Sequence, residues 1–227
     1  MTQPERIVVG ITGASGAAYA RRTIELAAAA GLEVHVSITA LGRRLLADEL
    51  DLKRPDADAL SGGRGDRVVL HNDNDLGASI ASGSFLHRGM IIVPCSSNTI
   101  AAVAAGITHS LVHRAASVTL KQRRTLVLAH REAPLSLIDL HNMTRLAEAG
   151  AIVSPCNPGF YLRPQSVDDL VDFVAGRLLD LVHVPHDLEI RWNPRPAAAA
   201  DHRAGLDGRP PSGGDPVPGS PLRHRDA

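Results

Sequence analysis

The segment Ile7-Val8-Val9-Gly10-Ile11-Thr12-Gly13-Ala14-Ser15-Gly16-Ala17-Ala18-Tyr19 decides how the chain is read. A short β-branched run ends in a Gly-Ala-Ser-Gly turn, and the alanine-rich stretch that follows, to about residue 30, has the composition of a helix. A strand, a turn and a helix start follow one another. Such a turn offers unpaired backbone N–H groups and the positive end of a helix dipole, which stabilise an anion by roughly 0.3–1 kcal/mol. Gly13 and Gly16 let a ligand approach the backbone, and the Ser15 hydroxyl adds a donor. The glycines at 10, 13 and 16 do not follow the G-x-G-x-x-G dinucleotide spacing, and no Gly-Lys-Ser/Thr makes a P-loop. A mononucleotide or flavin phosphate is favoured over NAD or ATP. The competing reading is a tight turn whose glycines serve geometry alone.

Working outward, residues 33–38, 67–71, 90–93, 126–129 and 151–153 read as further strands. Residues 41–50, 100–105, 111–122 and 137–149 read as helices, and Leu170, Val171, Val174, Leu178 and Leu181 form the apolar stripe of a last one. Pro94 is expected to break its strand, and Gly150 to close the 137–149 helix. Ser166, with Asp168 and Asp169, reads as an N-cap with an acidic first turn. Residues 51–66 mix Pro, Gly and charge without periodicity and predict a surface loop or a poorly ordered excursion. Asn72-Asp73-Asn74-Asp75 is turn chemistry, and the small, hydroxyl-rich 78–84 suits a backbone passing close to a ligand.

Strands alternating with helices predict a doubly wound, mostly parallel sheet in one α/β domain over residues 1–193. Residues 194–227, which hold seven of the fifteen prolines, predict a disordered tail. In such sheets ligands lie outside the carboxyl ends of the strands, where Cys95-Ser96-Ser97-Asn98-Thr99 and His130-Arg131-Glu132 also fall.

Composition excludes several classes. Lys plus Arg equals Asp plus Glu at 24 each, so the uniform positive field that nucleic acid or an anionic membrane attracts is not expected. Aromatic residues are 3% of the chain, too few for a single-strand stacking platform. No apolar run reaches the roughly 20 residues of a membrane span, and residues 1–6 show no signal-peptide pattern, so the chain is expected in the cytoplasm. Cys95 and Cys156 have no C-x-x-C spacing and read as two buried thiols. His109 and His113 stand four apart, but no Glu follows the first as in H-E-x-x-H, so no metal site is expected there.

The chain carries Gly13-Ala14-Ser15-Gly16, Ser82-Gly83-Ser84, Pro94-Cys95-Ser96, Arg114-Ala115-Ala116 and Lys121-Gln122-Arg123-Arg124 in that order. Arg131-Glu132-Ala133-Pro134, Gly159-Phe160-Tyr161 and Pro164-Gln165-Ser166 complete the set. With these motifs, spread over about residues 5–192, it resembles the UbiX-type flavin prenyltransferases. The resemblance implies a flavodoxin-like (Rossmann-like) αβα sandwich, a homo-dodecamer, and transfer of a dimethylallyl group from dimethylallyl phosphate to reduced FMN. It also implies that the prenylated FMN serves a partner UbiD-type decarboxylase, and that no metal is needed.

Residue by residue, the resemblance places FMN against Gly13, Ala14, Ser15, Thr39, Ser96, Ser97, Asn98, Thr99 and Arg131. It places the prenyl phosphate against Tyr161 and Arg177, with Arg114, Lys121, Glu49, Glu132 and Trp192 completing the pocket. Several family members have Ser-Lys where this chain has Thr39-Ala40, so the hydroxyl survives and the lysine does not.

The residue types suit that chemistry. Loss of phosphate from an allyl ester needs a cage for a dianion, which Arg114, Lys121, Arg177 and the Tyr161 hydroxyl supply. Trp192 offers an aromatic face worth roughly 2 kcal/mol to an allyl cation; the alternative is a hydrophobic plug for the last helix. Glu132, or the released phosphate, takes the flavin ring proton, while Glu49 orients groups. Two other functions compete. The first, an FMN-dependent decarboxylase of the phosphopantothenoylcysteine type, calls for a histidine that residues 79–84 lack. The second, a non-catalytic flavin-binding accessory subunit of a hydroxyarylic acid decarboxylase, has no use for two anion sites.

Overall fold

The computed structural model describes residues 5–191. Trp192 and the expected tail at 194–227 lie outside the described residues. Six strands form one parallel sheet: β1 (Arg6–Ile11), β2 (Glu33–Ile38), β3 (Val68–His71), β4 (Gly89–Cys95), β5 (Thr125–His130) and β6 (Ile152–Val153). Their order across the sheet is β3-β2-β1-β4-β5-β6, so the winding reverses between β1 and β4. This is the doubly wound α/β sandwich expected from the sequence, and its switch point is where a ligand crevice opens.

The helices are α1 (Ala17–Ala29), α2 (Ala40–Leu50), α3 (Ala57–Ser61), α4 (Ser97–Ala104), α5 (Leu111–Lys121), α6 (Leu137–Glu148) and α7 (Val167–Leu181). Because side chains alternate along a strand, the sheet sorts its core residues into two layers. Ile7, Val9, Ile11, Ile91 and Val127 pack with α1, α2, α3 and α7. Val8, Met90, Ile92, Leu126 and Leu128 face the other way and pack with α4, α5 and α6. Helices therefore divide by sheet face, and so do the side chains they carry. Among the described residues no helix is long and apolar enough to cross a membrane.

Two local expectations are corrected. Residues 51–66 are not a loose loop. Asp56 caps α3 by accepting from Ala59 N at 2.8 Å, Gly62 ends the helix at φ 63°, and the Asp58 carboxylate accepts from Gly65 N at 2.9 Å. Leu60, fully buried in the α1 layer, anchors the excursion, and one such side chain contributes about 1.5–3 kcal/mol. A single buried leucine leaves no period to read. Nor does Pro94 end β4, which continues to Cys95. The register with β5 shifts between Ile92 and Cys95, so the missing proline N–H falls at an irregularity and costs no ladder bond.

Both cysteines are buried free thiols, as expected. Burial pushes both up, Cys156 to about 12.

Candidate active site

The floor of the crevice is built at the switch point by one buried hydroxyl. Thr12, immediately after β1, donates through Oγ1 to the Pro94 carbonyl at 2.8 Å and accepts from Ser96 N at 2.9 Å. That pair of bonds ties the ends of β1 and β4 together. From the end of β5, Arg131 Nε donates to the Ser15 carbonyl at 3.1 Å, fixing the glycine-rich turn from the other side.

The turn departs from expectation at the start of α1. Gly16, at φ 128°, is its N-cap and offers no side chain. The Glu49 carboxylate, from the last turn of α2, takes its place, accepting from Gly16 N at 3.0 Å and Ala17 N at 2.8 Å. Burial would raise the Glu49 pKa, but hydrogen bonds from Ser15, Ala17 and Gly16, with the Arg131 charge, outweigh it and hold the carboxyl below its usual range. The N–H groups expected to receive a phosphate here already serve an internal anion. A residue 32 positions away in sequence takes them, which no local reading reveals.

The ligand-sized space lies beside this turn, over β1, β2 and β4. A cleft of about 490 Å³ is lined by Thr12, Gly13, Thr39, Ser96, Asn98 and Thr99, all but Thr12 among the predicted flavin contacts. Two helices begin on it with uncharged caps. Thr39 Oγ1 accepts from Gly42 N at 3.1 Å at the start of α2, and Ser96 Oγ accepts from Thr99 N at 3.3 Å at the start of α4. Gly42 is required for the first, since a Cβ there would sit 2.6 Å from the Ile11 carbonyl oxygen. Each helix start carries roughly half a positive charge, so the cleft favours a phosphate.

Asp73, His109, Ser110 and His113 complete its wall. Asp73 ties β3 to α5: its carbonyl accepts from Leu111 N at 2.7 Å, and its carboxylate from Val112 N and Ser37 Oγ, both at 3.0 Å. His113 is 3% exposed, and neither ring nitrogen has a hydrogen-bond partner among the described residues. Burial, followed by the neighbouring His109, lowers its pKa against the pull of Asp73, so the ring is held neutral. None of these wall residues figured among the expected contacts. In sequence Asp73 is turn chemistry, and His113 stands out only by its metal-like spacing from His109.

The remaining predicted residues divide. Ala14 is buried in the turn and Ser15 is exposed on it. Ser97 Oγ meets His130 Nε2 at 3.0 Å, a half-buried contact that uses its hydroxyl away from the cleft wall. Glu132 is exposed, its carboxylate accepting from Ala133 N at 3.0 Å. Arg114 and Lys121 ride on α5, against one face of the sheet, whereas Arg177 rides on α7, against the other. Arg177 pairs with Asp180 at 3.2 Å, and the Tyr161 hydroxyl donates to the Ile190 carbonyl at 3.2 Å. Arg114 and Lys121 thus ride on a helix across the sheet from the one that carries Arg177. Among the described residues no group of three or more His, Cys, Asp or Glu side chains is placed to hold a metal ion.

A parallel sheet with polar helix starts over its switch point defines a nucleotide-binding α/β protein with room for a phosphorylated ligand. The family model Flavoprotein matches residues 1–179. The flavin prenyltransferase UbiX of Thermoplasma acidophilum is 48% identical over 82% of this chain and 99% of its own length. A crystal structure of AnUbiX in complex with FMN and dimethylallyl pyrophosphate superposes with a TM-score of 0.77 at 37% identity, covering 86% of this chain and all of that one. A dodecameric FMN-dependent UbiX-like decarboxylase from Escherichia coli gives 0.74 at 37% identity, over 84% and 100%. The chain belongs to the UbiX-type flavin prenyltransferases of the Flavoprotein family.

Proposed function

We propose that the chain transfers a dimethylallyl group from dimethylallyl phosphate to reduced FMN. The observation that carries the reading is the cleft over β1 and β4, where two uncharged helix caps face a space of about 490 Å³. The crystal structure of AnUbiX, a relative of the same fold, is a complex with FMN and dimethylallyl pyrophosphate. The bound flavin supplies the nucleophile, and this chain's residues do the rest. Gly13, Thr39, Ser96, Asn98 and Thr99 hold the polar arm, while Arg131 fixes the turn by its bond to Ser15. Arg114, Lys121, Arg177 and Tyr161 bind the donor phosphate and steady the charge that develops as its carbon–oxygen bond breaks. Glu132, exposed at the end of β5, accepts the proton displaced from the flavin ring, and Glu49 keeps the turn in register.

The donor site is completed between subunits. Arg114 and Lys121 lie on the opposite sheet face from Arg177, so a cage containing all three needs residues from more than one chain. Leu137, Ile138 and Leu140 of α6 are exposed at 66%, 72% and 45%, an apolar surface suited to burial in a homo-oligomer such as the dodecamer of the relative. The product is prenylated FMN, consumed by a UbiD-type decarboxylase, and the chain acts in the cytoplasm.

The test is anaerobic incubation of purified protein with reduced FMN and dimethylallyl phosphate, followed by mass spectrometry of the flavin. The expected product is heavier by one prenyl group, and unchanged FMN from correctly folded protein would refute the activity.

A further inference from the structure

After α7 the chain doubles back, and residues 186–190 pack on the helix at Gly176. A Cβ there would sit 2.5 Å from Ile190 Cδ1 and 3.2 Å from His186 Cε1, so only glycine lets this strap lie so close. His186, its side chain fully buried, accepts through Nδ1 from Leu188 N at 3.2 Å. That puts the ring proton on Nε2, 3.4 Å from Asp180 Oδ1. At the end of the strap the Tyr161 hydroxyl donates to the Ile190 carbonyl, and the Tyr161 ring packs edge-on against Phe173 of α7, centroids 5.6 Å apart.

These contacts deliver Arg191 to a defined place. Arg191 Nη2 donates to Asp180 Oδ1 at 3.1 Å, and Arg177 Nη1 donates to Oδ2 of the same carboxylate at 3.2 Å. Two guanidiniums therefore share one carboxylate, and Tyr161 holds the carbonyl of the residue just before Arg191. Asp180 balances one of the two positive charges and leaves the other. Each guanidinium gives it a single nitrogen, and the side chains of Arg177 and Arg191 are 52% and 69% exposed, so a ligand reaches the remaining donors. Exposed ion pairs contribute little, and both forks can turn to phosphate oxygens, which guanidinium binds bidentately.

We propose that Arg191 is a further donor-binding residue, gripping the phosphate of the dimethylallyl ester together with Arg177. This rests on the prenyl-transfer reading above. It is tested in the full-length chain by three measurements: the KM for dimethylallyl phosphate, competitive inhibition by inorganic phosphate, and FMN affinity from flavin fluorescence. Arg191→Met, which keeps an apolar stem and loses the charge, should raise the donor KM and the phosphate inhibition constant together, each about ten- to a hundredfold. FMN affinity and melting temperature should stay at the wild-type values. Arg191→Lys, a point charge without the fork, should recover part of both losses. Wild-type donor KM and phosphate inhibition in Arg191→Met would overturn the assignment of Arg191 alone. So would an FMN affinity that falls as far as the donor's, or an Arg191→Lys variant no better than Arg191→Met. A wild-type chain that prenylates no FMN would overturn the prenyl-transfer reading and this inference with it.

Discussion

Above β1 and β4, Thr12, Ser96, Ser15 and Arg131 satisfy one another within a single chain. Around Tyr161 and Arg177 the polar groups turn elsewhere, Arg177 to Asp180 three residues on and Tyr161 to the backbone at Ile190. The first region is preorganised at its floor by the buried bond from Thr12 Oγ1 to the Pro94 carbonyl and the half-buried one from Ser96 N to Thr12, which water cannot easily replace. The second is held by an exposed ion pair, of a kind worth at most about 1 kcal/mol, so a phosphate can displace it. The contrast separates two tasks, a flavin niche finished by folding and a donor cage finished by assembly.

The sharpest way to break this contrast is at Arg177. Arg177→Ala should slow prenyl transfer by roughly 10²–10³ while FMN binding, measured by fluorescence titration, hardly changes. If the cage spans subunits, oligomers mixed from Arg177→Ala and Lys121→Ala chains should regain activity at about a quarter of their sites. Mixtures as inactive as either parent would place both residues in one chain's site. At the preorganised region, Thr12→Val leaves the Ser96 N–H unpaired, reduces the Pro94 carbonyl to its 3.3 Å bond from the residue 12 N–H, and should cost about 1–3 kcal/mol in denaturant unfolding, weakening FMN as well.

The smallest effect concerns Glu49. Its folded-state carboxyl is held below the usual range, so its stabilisation is complete above the ordinary glutamate value of about 4.3 and is lost as pH falls through the folded pKa. Glu49→Gln should therefore be less stable than wild type at pH 7, by roughly 0.3–1 kcal/mol, and match it in acid melts. A constant difference across pH would remove the charge from the explanation.

Much of this was legible in the chain itself. The β-branched run of β1, and the capping signature Ser166-Val167-Asp168-Asp169, determine local geometry without help from distant residues, and those elements appear where read. Ser96 and Thr99 were legible as a polar helix start after a strand, whereas Thr39 was reached only through the family resemblance. What stayed hidden depends on which face of the sheet a helix covers. Arg114 and Arg177 look equivalent in sequence, yet the switch between β1 and β4 sends their helices to opposite sides. Glu49 taking over the α1 start, and His113 reaching the cleft, are likewise contacts between segments that no local pattern announces.

The two cysteines gain significance from the electrophile proposed above. An allylic ester capable of alkylating a flavin can also alkylate sulfur, and a thiolate is the strongest nucleophile a protein side chain offers. This chain has two thiols in all, and it keeps both inside the sheet core and protonated. The donor meets no exposed thiolate on this chain, and the catalyst is protected from modifying itself at cysteine.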